Sequence, residues 1–195
     1  TKEVIILNTF VVANPNKCIG CKSCEIACAV AHLNISVATA GFIDAPFIPR
    51  ISMVRAARVT MPIQCRQCDD APCANACPVA AIVHQEDRIV VKAELCIGCK
   101  TCMIACPFGA IDMVARCQNG EKQMQVNLSV ITKEGKQNKE VMVAQKCDLC
   151  AGRPEGPACV EVCPADALIV IKPKVINDSI KSKRQSSVKK SVKLT

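Results

Sequence analysis

The sequence predicts an α+β fold of short helices and hairpins, arranged as two modules with one inserted in the other. Four tight cysteine motifs account for sixteen of the 17 cysteines in 195 residues. A smaller repeat, C-P-x-x-A followed by an aliphatic residue, trails three of those motifs. The chain is also poor in large side chains: it is 2% aromatic, without Trp or Tyr, and its only rings of that kind are Phe10, Phe42, Phe47 and Phe108. A chain with so little to pack needs staples, either disulfides or bound metal. Disulfides fit poorly, because the cysteines are clustered, their total is odd and no secretory signal opens the sequence.

The motifs say what the staple is. The third reads Cys96-Ile97-Gly98-Cys99-Lys100-Thr101-Cys102-Met103-Ile104-Ala105-Cys106-Pro107, or C-x2-C-x2-C-x3-C-P. That is the spacing of a bacterial [4Fe–4S] site, and in two-cluster proteins its fourth cysteine ligates the other cluster. Gly98 lets the loop bend tightly beside the metal. The first motif is Cys18, Cys21, Cys24 and Cys28, with the same x2, x2 and x3 gaps. The second is Cys65, Cys68, Cys73 and Cys77, with an x4 expansion; the fourth is Cys147, Cys150, Cys159 and Cys163, with an x8 expansion. Structural zinc sites close locally on paired C-x-x-C elements and have no need of a remote C-P cysteine. Cys117 stands outside the motifs and reads as a spare thiol.

The repeat gives the local structure. Cys77-Pro78, Cys106-Pro107 and Cys163-Pro164 each lead to an alanine three residues beyond the proline, at Ala81, Ala110 and Ala167. Each then enters a β-prone run, beginning at Ile82, Ile111 or Leu168. A helical turn carrying the last cysteine, a proline exit and a strand is the unit implied, and its recurrence marks a duplicated fold. The first motif departs, since Ala29 replaces the proline and residues 25–32 can continue as a helix. Residues 82–91 read as a hairpin with a polar turn. Residues 124–131 and 140–143 alternate as two strands about a turn at 133–139. The apolar residues 4–12 fit a buried strand, residues 34–52 a long loop, and no segment is long enough to cross a bilayer.

Two cysteine units joined by a hairpin make one bacterial-ferredoxin-like module. The second and third motifs are close enough to form it, at residues 61–124. The first and fourth then pair as the outer module, at residues 1–60 plus 125–172. Crossed ligation assigns four sets. Set A is Cys18, Cys21, Cys24 with Cys163; set B is Cys65, Cys68, Cys73 with Cys106. Set C is Cys96, Cys99, Cys102 with Cys77; set D is Cys147, Cys150, Cys159 with Cys28. Each would hold one [4Fe–4S] cluster.

The formal charge is +8, but residues 1–171 carry 17 Lys and Arg against 16 Asp and Glu. Almost all the excess lies in residues 172–195, with eight cations against Asp178 alone. Four clusters with their thiolates would add about −8 and bring the loaded protein near neutrality. Lys17, Lys22, Lys100 and Lys146 lie beside cysteines, where they favour a more anionic reduced centre or simply face solvent. His32 and His84 lack ligand-like partners and read as structural.

Taken together, Cys65-Arg66-Gln67-Cys68-Asp69-Asp70-Ala71-Pro72-Cys73 and Lys146-Cys147-Asp148-Leu149-Cys150 resemble a known family. It is the four-cluster ferredoxin-like electron-transfer subunits of molybdopterin oxidoreductases and their hydrogenase-linked relatives, and the likeness covers roughly residues 8–172. The first motif and residues 147–153 are most similar to the small subunits linking formate dehydrogenase and hydrogenase, as in formate hydrogenlyase and hydrogen-dependent carbon dioxide reductase. The resemblance implies a cytoplasmic, non-catalytic subunit that relays single electrons between catalytic redox subunits. Wires for another molybdopterin oxidoreductase, or for carbon monoxide dehydrogenase, share the pattern.

An enzyme in its own right lacks support, because the sequence has no G-x-G-x-x-G, P-loop or C-x3-C-x2-C motif. Nucleic-acid binding through the basic tail lacks aromatic platforms for bases. The tail, residues 173–195, is expected to be an assembly element that docks, partly as a helix, on another ferredoxin-like subunit or a second copy.

Overall fold

The computed structural model describes residues 7–33, 37–40, 47–118 and 121–192. Strand β1 (Phe10–Ala13) leads into helix α1 (Ser23–Leu33) and the single turn α2 (Val37–Ala40). The hairpin β2 (Ile51–Ala56) and β3 (Val59–Gln64) precedes α3 (Pro72–Asn75), then comes the hairpin β4 (Ile82–Gln85) and β5 (Arg88–Val91). After α4 (Thr101–Ala105) come β6 (Asp112–Ala115), β7 (Cys117–Gln118) and β8 (Glu121–Lys122). The long ribbon β9 (Met124–Thr132) and β10 (Gly135–Glu140) follows, then β11 (Met142–Gln145), α5 (Ala158–Glu161), β12 (Leu168–Ile171) and α6 (Pro173–Val192). The result mixes helix and strand, with small sheets of two antiparallel strands each.

Proline explains the unequal helix lengths. Helices α3, α4 and α5 last four or five residues because Pro78, Pro107 and Pro164 soon follow, and a residue before proline is pushed out of helical conformation. Helix α1 has Ala29 in place of that proline and runs on to Leu33 over 11 residues. Its buried face is Cys24, Cys28, Ala29 and Val30.

Two long-range pairings close the molecule. Strand β1 pairs with β12, Phe10 opposite Ile171 and Ala13 opposite Leu168. Strand β6 pairs with β11, Asp112 opposite Gln145 and Ala115 opposite Met142. The hairpin β4–β5 forms within the expected residues, Ile82 opposite Val91. Two apolar clusters result. One gathers Val11, Cys24, Cys28, Ile51, Cys147, Cys159 and Leu168; the other gathers Cys73, Ile82, Ile89, Cys102, Ile111 and Ala144.

Several elements differ from expectation. Strand β9 begins where alternation places it, but its partner is Gly135–Glu140, so the turn shrinks to Lys133 and Glu134. Gly135, at φ +116, supplies a backbone angle closed to other residues. Residues 142–145 leave the ribbon as β11 and pair with β6 instead. The hairpin β2–β3 occupies residues that carried no strand expectation beyond the loop at 34–52. It runs across residue 60, and β6–β11 joins residues on both sides of position 124. The expectations for residues 4–6, 34–36 and 41–46 lie outside the described residues. Helix α6 spans most of the tail, with largely exposed side chains.

Candidate metal centres

Three small pockets each have four cysteines in their walls. Cys18, Cys21, Cys24 and Cys163 line the first, with Met53, Pro62 and Leu168. Cys77, Cys96, Cys99 and Cys102 line the second, with Ile82 and Met113. Cys65, Cys68, Cys73 and Cys106 line the third, with Ile89, Phe108 and Ile111. These are the memberships of sets A, C and B. Set D gathers at the base of α1: Cys28, Cys147 and Cys159 are buried, and Cys28 acts electrostatically on Cys147, Cys150 and Cys159. Cys117 stays apart, exposed on β7.

The C-P-x-x-A repeat now has a physical reason. The N–H of Ala81 donates to Cys77 Sγ at 3.3 Å, that of Ala110 to Cys106 Sγ at 3.4 Å, and that of Ala167 to Cys163 Sγ at 3.3 Å. After the proline, the chain folds back and presents one N–H to the sulfur. The first motif, lacking proline, spends residue 32 in a helix, and Cys28 Sγ takes its hydrogen bond from Arg50 N at 3.2 Å. Gln67 N donates to Cys65 Sγ and Ala144 N to Cys96 Sγ. Such donors favour the thiolate, the form that binds metal.

The loops of the first and third motifs are copies in conformation as well as sequence. Gly20 and Gly98 lie at φ +72 and +69, and Lys22 and Lys100 at +64 and +68. A Cβ on Gly98 would stand 2.6 Å from the Met142 carbonyl oxygen, so only glycine fits there. Hydroxyls then reach the most exposed sulfurs: Thr101 Oγ1 donates to Cys99 Sγ at 3.3 Å, and Ser23 does the same for Cys21, holding both thiols below their usual range. The buried thiols go the other way. Burial pushes Cys24 and Cys73 up to about 11 and Cys159 up to about 12, and raises Cys147 further. At neutral pH these thiols keep their protons until a metal displaces them, so loading releases protons.

The donor set fits an iron–sulfur cluster. All four members of each set are sulfur, which suits iron in this cofactor. No group of three or more His, Cys, Asp or Glu among the described residues converges tightly enough to hold a single metal ion. The sulfurs of sets A, B and C stand around pocket walls, as ligands of a several-atom body would.

Matches to the 4Fe-4S binding domain cover residues 15–31 and 89–112, the first and third motifs. The electron transport protein HydN of Escherichia coli (strain K12) is 41% identical over 165 residues, 85% of this chain and 89% of that protein. The chain belongs to the iron–sulfur, ferredoxin-like electron transport proteins. Another relative in Escherichia coli (strain K12), hydrogenase-4 component A, is 37% identical over 192 residues, 92% of this chain and 90% of that protein. Among the described residues no helix is long and apolar enough to cross a membrane.

Around these family motifs lie residues that spacing could not single out. Asp148 accepts from Arg50 NH1 at 2.6 Å, lies 3.0 Å from His32 Nε2, and accepts from Cys150 N at 3.0 Å. Burial alone would raise Asp148, but its hydrogen bond to His32 and the Arg50 charge hold it down at about 2. Burial would lower His32, yet Asp148 and Cys28 raise it to about 9. This group braces set D from outside, joining α1 to the fourth motif. His84 has a comparable bracing place, 2.6 Å from Asn8 Oδ1. Lys17, Lys22 and Lys100 are exposed, whereas Lys146 is only 3% exposed. Its burial departs from the surface reading; it sits just past the end of β11, whose Val143 and Ala144 are also buried.

Proposed function

We propose that this chain is a non-catalytic electron-transfer subunit carrying four [4Fe–4S] clusters, one in each of sets A, B, C and D. Bound there, each cluster supplies a one-electron couple. The observation that carries the reading is the order in which the cysteines follow one another through the molecule. Cys24 of set A and Cys65 of set B each pack in one buried cluster with Cys28, Cys147 and Cys159 of set D. Sets B and C share one apolar cluster. The row is therefore A, D, B, C. Only the end sets have an exposed cysteine, Cys21 at one end and Cys99 at the other. A row open at both ends and closed in its middle suits a relay between two partners.

The chain's own work is to hold and insulate. Three thiolates of each set come from one motif and the fourth from another, so the sets tie distant segments together. Backbone N–H groups stabilise the sulfurs, and the apolar walls keep water from the inner sets. Four cysteines per cluster leave no open coordination position for a substrate.

The partners proposed are a hydrogenase-like and a formate-dehydrogenase-like subunit, in the cytoplasm. The hydrogenase side is supported by the relative named as a hydrogenase component, and the formate dehydrogenase side by the motif resemblance to subunits of molybdopterin enzymes. Helix α6, exposed and basic, is the proposed assembly element. Anaerobically purified protein is expected to hold about sixteen iron and sixteen acid-labile sulfide, and to give cubane EPR signals on reduction. Zinc in place of iron overturns the reading. Co-purification from the native cell, with and without α6, identifies the partners; an identical set of subunits in both would remove α6 from the proposal.

A further inference from the structure

Between sets B and D lies a buried polar junction. Lys146 Nζ donates to Cys147 O at 3.1 Å, to Gln67 Oε1 at 3.4 Å and to Ile89 O. Three acceptors call for three N–H donors, which the ammonium has and the neutral amine lacks. All three acceptors are neutral oxygens, and no carboxylate among the described residues pairs with Lys146. A buried cation without an anion is costly, so the fold must offer one nearby.

Gln67, 1% exposed, holds the cation in place. Its side-chain amide donates to Cys147 O at 2.8 Å, while its oxygen accepts from Ile89 N at 2.8 Å as well as from Lys146. Its backbone N–H donates to Cys65 Sγ at 3.4 Å. One residue therefore touches a sulfur of set B and the backbone of a set D cysteine. The cation itself lies beside set B: Ile89, whose carbonyl it reaches, lines the pocket walled by Cys65, Cys68, Cys73 and Cys106. Burial pushes the Cys73 thiol up, and Lys146 opposes that push. Among the described residues no comparable cation is buried beside set C, whose neighbouring Lys100 is exposed.

Resting on the four-cluster reading above, we infer that Lys146 is the internal counter-ion of the centre held by Cys65, Cys68, Cys73 and Cys106. It makes that centre easier to reduce than its counterpart in set C, and Gln67 is the positioning residue that fixes it there. An added electron increases negative charge at the centre, and a fixed cation in a low-dielectric interior favours that form. The inner part of the row thereby becomes a place where an electron rests between partners.

The test is a redox titration followed by EPR, with iron analysis, on the anaerobic holoprotein. Lys146→Met should shift one of the four cluster signals to lower potential, leave the others in place and keep the iron content. Lys146→Arg should titrate like the parent. Gln67→Glu supplies a carboxylate to neutralise the cation without emptying the site, and should shift the same signal downward. Unchanged titration in Lys146→Met or Gln67→Glu at full iron overturns the inference, as does a joint shift of all four signals. Loss of iron in both variants also overturns it, leaving Lys146 a purely structural role. A parent protein without cubane iron overturns the four-cluster reading instead, before any variant is made.

Discussion

The first and third motifs and the second and fourth use cysteine differently, and their positions explain why. The compact C-I-G-C-K-[ST]-C loops lie at the surface, with Ile19 68% and Ile97 63% exposed, and form the two ends of the proposed row. Their sulfurs at Cys21 and Cys99 meet solvent and borrow hydroxyls. The expanded motifs lie inside. There the x4 and x8 insertions lead into α3 and α5 through Pro72 and Pro157, and the motifs' own Gln67 and Asp148, with Lys146 beside Cys147, make the polar contacts around the cysteines. Spacing within a cysteine motif is thus a record of depth. Short gaps suit a terminus of the row, and long gaps suit its interior.

The largest test of this contrast breaks an inner set. Cys28→Ala should cost about four irons, or leave a three-iron centre, and the lost EPR signal should be that of the set completed by Cys147, Cys150 and Cys159. Selective loss of the set holding Cys18, Cys21 and Cys24 would refute crossed ligation. A smaller effect separates the two end loops from each other. Alanine at Gly20 or Gly98 meets a left-handed backbone cost of about 1–2 kcal/mol. Gly98→Ala should lower thermal stability further, because it collides with the Met142 carbonyl, whereas Gly20→Ala meets the Thr60 methyl at 3.0 Å, a side-chain contact. Equal melting temperatures would show that β11 gives way freely. The smallest effect belongs to the hydroxyls. Ser23→Ala and Thr101→Val should each shift one end-set signal slightly to lower potential, since hydrogen bonds to sulfur stabilise the reduced form. Movement of an inner signal would dissolve the distinction between ends and middle.

The cysteine motifs were legible in the sequence because ligation imposes spacing that packing does not. Each motif must place three sulfurs around one body, and the C-P exit must send a fourth elsewhere. The hairpin Ile82–Gln85 with Arg88–Val91 was legible for a similar reason, with apolar runs flanking a polar turn. Strand β10 was not, because Gly135–Glu140 is polar on both faces and takes its place from backbone pairing with β9 rather than from an apolar stripe. The burial of Lys146 left no trace either. A lysine next to a cysteine reads as surface charge until the segment that follows β11 is placed. Its three acceptors come from Gln67, Ile89 and Cys147, and no local pattern joins those positions.

The pairing of β1 with β12 bears on how the chain is made. During synthesis, Val11 and its neighbours emerge early, yet the strand that covers them ends at Ile171. Cys163, which shares a cavity with Cys18, Cys21 and Cys24, is equally late. The hairpin β4–β5, by contrast, finds its partner within a few residues. The cysteines of the inner stretch can therefore gather on a nascent chain while the first motif still waits, its thiols open to oxidation or to the wrong metal. Production from a ribosome that stalls before Cys163 should leave that motif unfinished, so the last segment of the fold acts as the clasp that ends the assembly.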